Sequence, residues 1–190
     1  MEPVNEMKNG IRNSKMLLNE VYFWTDTIKD WKLLLERDKF KNIIIESWKT
    51  LVQRQRIIIY GFVIMPNHLH VIWELLSMNG KEMPHASFNK FTSHQFQQYL
   101  RTEGVDSGIT DYQVPKEMDR NYRFWQRDAL AVRMDSQTKV EQKLEYIHLN
   151  PLQEHWNLVS KPENYYWSSA RYYEEGIDDF GFITHYKERF

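Results

Sequence analysis

The sequence contains no cysteine among its 190 residues, which excludes a disulfide framework and any thiolate metal site. A metal would have to be held by imidazole, carboxylate or amide oxygen, and a reducing cytoplasm is the expected compartment. Long apolar runs are absent too. No stretch approaches the ~20 apolar residues that cross a bilayer. The first twenty residues, with Glu2, Asn5, Glu6, Lys8 and Asn9 among them, hold no apolar signal core. A soluble intracellular chain without a membrane partner is therefore expected. Charge of one sign is also missing: the net charge is -1, which excludes a surface that attracts polyanions everywhere. Bases do outnumber acids between Lys29 and Arg56, and the acidic end with Glu174, Glu175, Asp178 and Asp179 offsets them.

What is present is apolar and aromatic: 42% hydrophobic residues and 15% aromatic ones, including 7 Trp and 11 Tyr. That composition excludes disorder and suits one globular domain with a sizeable core. Residues 1–18 are polar and weakly patterned, and read as a flexible arm. Residues 21–28 (VYFWTDTI) are aromatic and β-branched, a first strand. Apolar residues spaced by threes and fours predict a helix over 34–54. A strand apolar on both faces follows over 56–65, and Met65-Pro66-Asn67 turns it into a strand over 68–76. A second helix is predicted over 88–100, a long loop over 105–121, and a strand over 124–134. Asp135-Ser136 caps a helix over 137–150, which Pro151 ends because the residue before proline avoids helical angles. The order predicts an α+β fold: a ferredoxin-like split β-α-β antiparallel sheet with helices on one face, plus an added C-terminal helix and tail. The domain spans 19–152, with 153–190 as an extension packed on it.

Two stretches carry chemistry. Side chains alternate along a strand, so His68, His70, Ile72 and Glu74 share one face while Leu69, Val71, Trp73 and Leu75 share the other. Two imidazoles on one face can hold a divalent cation. In the helix over 137–150, Val140, Leu144 and Ile147 form the buried stripe. Lys139, Lys143, Tyr146 and Asn150 fall on one flank, and Glu141, Glu145 and His148 on the other. A flank with a tyrosine, two lysines and an amide suits a phosphate beside a metal. The chemistry that uses these parts is transesterification of a phosphodiester, because a phenol with a free pKa of about 10 needs a cation to polarise the phosphate. Bland readings stand beside some of these: Asn150 before Pro151 is equally a helix-ending device, and Lys139 and Lys143 are equally a solvated face.

Pro66-Asn67-His68-Leu69-His70 resembles the His-hydrophobe-His motif of the HUH endonuclease superfamily. Tyr146-Ile147-His148-Leu149-Asn150-Pro151 resembles the nucleophile motif of single-tyrosine transposases. With Tyr165-Tyr166-Trp167-Ser168-Ser169-Ala170 downstream, the pattern is similar to that of the REP-associated tyrosine transposases, from about residue 20 to 173. Gln153-Glu154-His155-Trp156-Asn157 departs from the Ala-Gly turn common in that family. The resemblance implies single-stranded DNA cleavage at hairpin-forming repeats through a 5′-phosphotyrosine, with Mg²⁺ or Mn²⁺ as cofactor. By motif it implies His68 and His70 as metal ligands, Asn150 as a further one and Tyr146 as nucleophile. Lys139, Lys143, Trp167 and Arg127 are the expected DNA contacts, although for most of the aromatic cluster around Trp167 packing of the tail is the favoured reading over base stacking. The partner is then single-stranded or hairpin DNA. Relatives in mobile elements are dimers with shared sites, whereas the REP-associated ones resemble monomers. The rival readings are a hairpin-binding protein that does not cut, and a replication-initiator or relaxase nuclease; against the latter, no Gly-x-x-x-x-Gly-Lys loop is present.

Overall fold

The computed structural model describes residues 16–104, 107–115, 121–127 and 129–190. Four strands, β1 (Val21–Thr27), β2 (Ile57–Ile64), β3 (His68–Leu75) and β4 (Leu130–Arg133), form one antiparallel sheet in the order β2-β3-β1-β4. β3 is inserted between β1 and β2, which α1 (Asp38–Gln53) connects. This is the expected split β-α-β, with α2 (Pro84–Thr102) connecting β3 to β4. One face of the sheet is closed by α1 and α2 through an aromatic core: Trp24 stacks on Trp73 at 4.8 Å, and Phe88 lies 5.7 Å from Trp48. These rings bury large apolar areas and prefer such offset or edge contacts. α3 (Gln137–Leu149) crosses the opposite face, the one that carries the histidines. Its close approach depends on Gly61, where a Cβ would overlap Leu144 Cδ2 and meet Ser169 Oγ at 3.2 Å.

Several elements differ from the sequence expectation. The helix over 34–54 is broken: a 3₁₀ turn at Leu34–Glu36 ends at Arg37, whose extended backbone (ψ 117°) starts α1 afresh. The strand over 124–134 is short. Phe124 and Gln126 continue the ladder by bonding Lys29 and Thr27, and the ladder is interrupted before Leu130. The apolar side chains Phe124 and Trp125 serve the core from outside a regular strand. The long loop contains a 3₁₀ turn, Ile109–Tyr112. Asn150 keeps helical angles (φ -57°, ψ -44°) despite preceding proline, and the chain tightens into a 3₁₀ turn over Asn150–Leu152. α3 ends because Pro151 has no N–H to continue its ladder, rather than because Asn150 leaves the helical region.

Residues 1–15 of the expected arm lie outside the described residues; Met16 is buried in the core. The C-terminal extension runs along the free edge of β2. Trp167 O accepts from Ile64 N at 2.9 Å, Phe62 O from Ser169 N at 3.0 Å and Ile59 O from Thr184 N at 2.9 Å. An edge strand covered in this way offers no ladder to other chains. The short α4 (Ala170–Glu175) follows. Ser169 also ties the tail to α3, its hydroxyl lying 2.8 Å from His148 Nε2 and accepting from Phe62 N at 2.9 Å. Among the described residues no helix is long and apolar enough to cross a membrane.

Candidate functional site

The site grows from the pairing of β1 with β3. Thr25 lies opposite His70 and Thr27 opposite His68, so Phe23, Thr25 and Thr27 share the histidine face. His68 and His70 are both buried, with ring centroids 4.8 Å apart. Each is held through Nδ1. Asn67 Oδ1 lies 2.6 Å from His68 Nδ1, and Asn67 Nδ2 donates to Trp31 O at 3.3 Å. An amide oxygen only accepts, so Nδ1 of His68 carries the proton and Nε2 keeps its lone pair. Thr25 Oγ1 lies 2.7 Å from His70 Nδ1, and Nε2 of His70 is buried with no hydrogen-bond partner among the described residues. A buried ring nitrogen without a partner among the described residues, beside a second imidazole whose tautomer is set by a neighbour, could serve as a metal ligand.

α3 brings the second half. Tyr146 lies edge-on to His70 at 5.4 Å and to Phe23 at 6.2 Å, in the same chain as both. The residue is 42% exposed. Burial raises its pKa, and the hydrogen bond with Asn150 opposes this, as a donor to a phenol oxygen does. Asn150 is buried at the end of the same flank. Lys143 Nζ stands 4.7 Å over Phe23 and 5.2 Å over Tyr146, and partial burial lowers its pKa. His68, His70, Tyr146, Asn150 and Lys143 are thus brought together. Among the described residues no group of three or more His, Cys, Asp or Glu could hold a metal ion, so a further ligand would be the Asn150 amide or a substrate oxygen.

Two expected DNA contacts, Lys139 and Trp167, fall outside this cluster. Lys139 is paired with Asp135 at 2.8 Å on the exposed face of α3. Trp167 is buried, with Lys41 Nζ 5.2 Å over its ring; it packs the tail, which corrects the expectation of a base-stacking surface. Arg127 is exposed and follows Gln126, which bonds Thr27 at the site's end of β1. Glu74, on the histidine face, is engaged by Tyr60 at 2.7 Å and Arg189 at 3.1 Å. Residues that the sequence reading left out are Thr25 and Asn67, which hold the imidazoles, and Trp31 and Trp156, whose rings lie 6.4 Å and 6.0 Å from His68. His155 lies near enough to act electrostatically on His68.

Among solved structures, that of a REP-associated tyrosine transposase bound to a REP hairpin is similar to this chain. The TM-score is 0.57 at 17% identity, covering 94% of this chain and 92% of that one. The likeness is one of fold. No family model and no curated protein matches the sequence.

The buried ionisable groups set opposing pH limbs. Burial, and then the charge of His155, pushes His68 down to about 4. Burial alone pushes His148 down to about 4, and burial first holds His70 well below the usual range. Unfolded histidines protonate near 6.5, so this stability is complete above that pH and lost as pH falls towards about 4. Asp26 behaves in reverse. Burial pushes it up to about 8 although Asn89 and Thr27 donate to it. The folded chain keeps this proton after the unfolded chain has released it, so stability is complete below 3.8 and lost as pH rises through about 8. The metal-free protein is predicted to melt highest near pH 6.5, where the contributions of the buried histidines have risen and that of Asp26 has partly fallen. Melting temperature against pH checks this, and Asp26→Asn is expected to remove the loss between pH 3.8 and about 8 while leaving the histidine rise in place.

Proposed function

We propose that the chain is a metal-dependent single-strand DNA endonuclease and strand transferase acting at hairpin-forming repeats, with Tyr146 as nucleophile. The observation that carries the reading is that the ring of the partly exposed Tyr146 lies 5.4 Å from that of His70, whose Nε2 is buried with no hydrogen-bond partner among the described residues. His68 Nε2, His70 Nε2 and the Asn150 amide oxygen would hold a divalent ion, Mg²⁺ or Mn²⁺, hardness favouring oxygen ligands and imidazole favouring manganese. Such an ion, when bound, supplies Lewis-acid polarisation of the scissile phosphate.

The chain's own groups do the rest. Asn67 and Thr25 hold the two rings through Nδ1, which leaves Nε2 of each as the atom that would bind the ion. Asn150 orients the Tyr146 hydroxyl, and Lys143 places positive charge beside it. The phenol oxygen attacks phosphorus and loses its proton; the Tyr146 O–P bond forms as the bond to the 3′ oxygen breaks, and that oxygen takes up a proton. The 5′ phosphate is left on Tyr146, conserving bond energy for rejoining. That Tyr146 lies beside His70 of its own chain supports a site formed within one chain.

The likeness in fold to a protein seen bound to a REP hairpin supports a hairpin substrate. The test is incubation with a 3′-labelled hairpin carrying single-stranded flanks. Mn²⁺ or Mg²⁺ is expected to give a slower-migrating protein–DNA species that EDTA prevents. Tight hairpin binding without any metal-dependent cut would favour the non-cutting rival instead.

A further inference from the structure

The turn between β1 and α1 contains two successive residues in the left-handed region, Asp30 (φ 56°) and Trp31 (φ 58°). Aspartate tolerates this backbone, whereas a bulky aromatic there is a strained outlier, kept only where the surroundings hold it. They do so here. Phe124 O accepts from Lys29 N at 2.7 Å, Ile28 O from Trp31 N at 3.0 Å and Trp31 O from Asn67 Nδ2. Lys29 and Lys32 anchor the turn to Asp111 at 2.8 and 3.0 Å. The strained backbone presents an indole that is 60% exposed, edge-on to His68 at 6.4 Å. Trp156 lies on His68 as well, at 6.0 Å and partly buried.

An apolar ring held in water at the lip of the imidazole pair, on a rigid turn linked through Asn67 to His68, has no packing purpose that its exposure serves. We infer that Trp31 is a stacking platform for the unpaired base adjoining the scissile phosphate, fixing the flank of the strand so that the phosphate reaches His68, His70 and Tyr146. The inference rests on the single-strand nuclease reading above and adds to it a residue that selects unpaired over paired DNA. A base inside a duplex has both faces covered by its neighbours, whereas an unpaired base offers its π-face to an aromatic.

The test compares the wild type with Trp31→Ala and Trp31→Phe on two hairpin oligonucleotides, one with an intact flank and one abasic at the flanking nucleotide. Anisotropy gives the affinity, and initial rates give KM and kcat. On the intact strand, Trp31→Ala is expected to raise Kd and KM roughly 10- to 100-fold, the usual worth of one stacked base, with kcat nearly unchanged and Trp31→Phe restoring most of the loss. On the abasic strand wild type and Trp31→Ala should coincide, a coupling that general damage to the fold would not reproduce. Equal KM for wild type and Trp31→Ala on the intact strand, or the same loss on the abasic one, overturns the stacking role while leaving the nuclease reading in place. A wild type that neither binds nor cuts either strand removes that reading and this inference with it.

Discussion

Tyr146→Phe is expected to abolish strand cleavage and covalent DNA capture, lowering the rate by at least roughly a thousandfold, because a phenyl ring has no oxygen to bond phosphorus. The fold should tolerate the change. The ring is half-exposed and keeps its edge contacts with His70 and Phe23. What disappears is the hydrogen bond with Asn150, a net loss of about 1 kcal/mol. Hairpin affinity should hold within a few-fold, since nothing in binding a phosphate requires the hydroxyl. Gel-resolved cleavage beside anisotropy on the same hairpin separates the two effects. Residual adduct in Tyr146→Phe at wild-type level would move the nucleophile elsewhere.

Removing both imidazoles, His68→Ala with His70→Ala, is expected to have the other large effect. Loss of a group that merely orients a ligand typically costs about 10- to 100-fold in metal affinity, so loss of two ligands should leave no cleavage that raised metal restores. The readout need not be activity. A ligand that binds only the folded state raises stability by about 2.7 kcal/mol at a hundred times its Kd. Wild type should therefore melt higher with Mn²⁺, and the double variant should show no such rise. Without metal, the variant should also lose the part of the acid limb that His68 and His70 supply, because both are held neutral by burial. A metal-induced shift that survives the double substitution would place the ion away from these residues.

The central geometry was legible in the sequence because it depends only on periodicity. A two-residue repeat puts His68 and His70 on one face, and a helical wheel puts Lys143, Tyr146 and Asn150 on one flank. That the two faces meet could not be read from either period; it depends on the absence of a Cβ at Gly61, which lets Leu144 and Ile147 lie against β2. The partners of the imidazoles were hidden for a similar reason. Thr25 lies opposite His70 only once the register of β1 is known, and Asn67 had been read as a turn residue although its side chain holds His68. Trp31 was invisible because left-handed angles at tryptophan contradict local preference, and tertiary hydrogen bonds enforce them. Trp167 went the other way: an aromatic motif suited to stacking bases instead buries the tail against β2.

The most direct measurement is mass-spectrometric mapping of the species formed when the protein meets a hairpin-bearing single strand with Mn²⁺. The account predicts one peptide, spanning residues 144–152, carrying a nucleotide through a phosphodiester on Tyr146, absent when EDTA is present. Cleavage with no protein-bound nucleotide, or a nucleotide on any other residue, would contradict it.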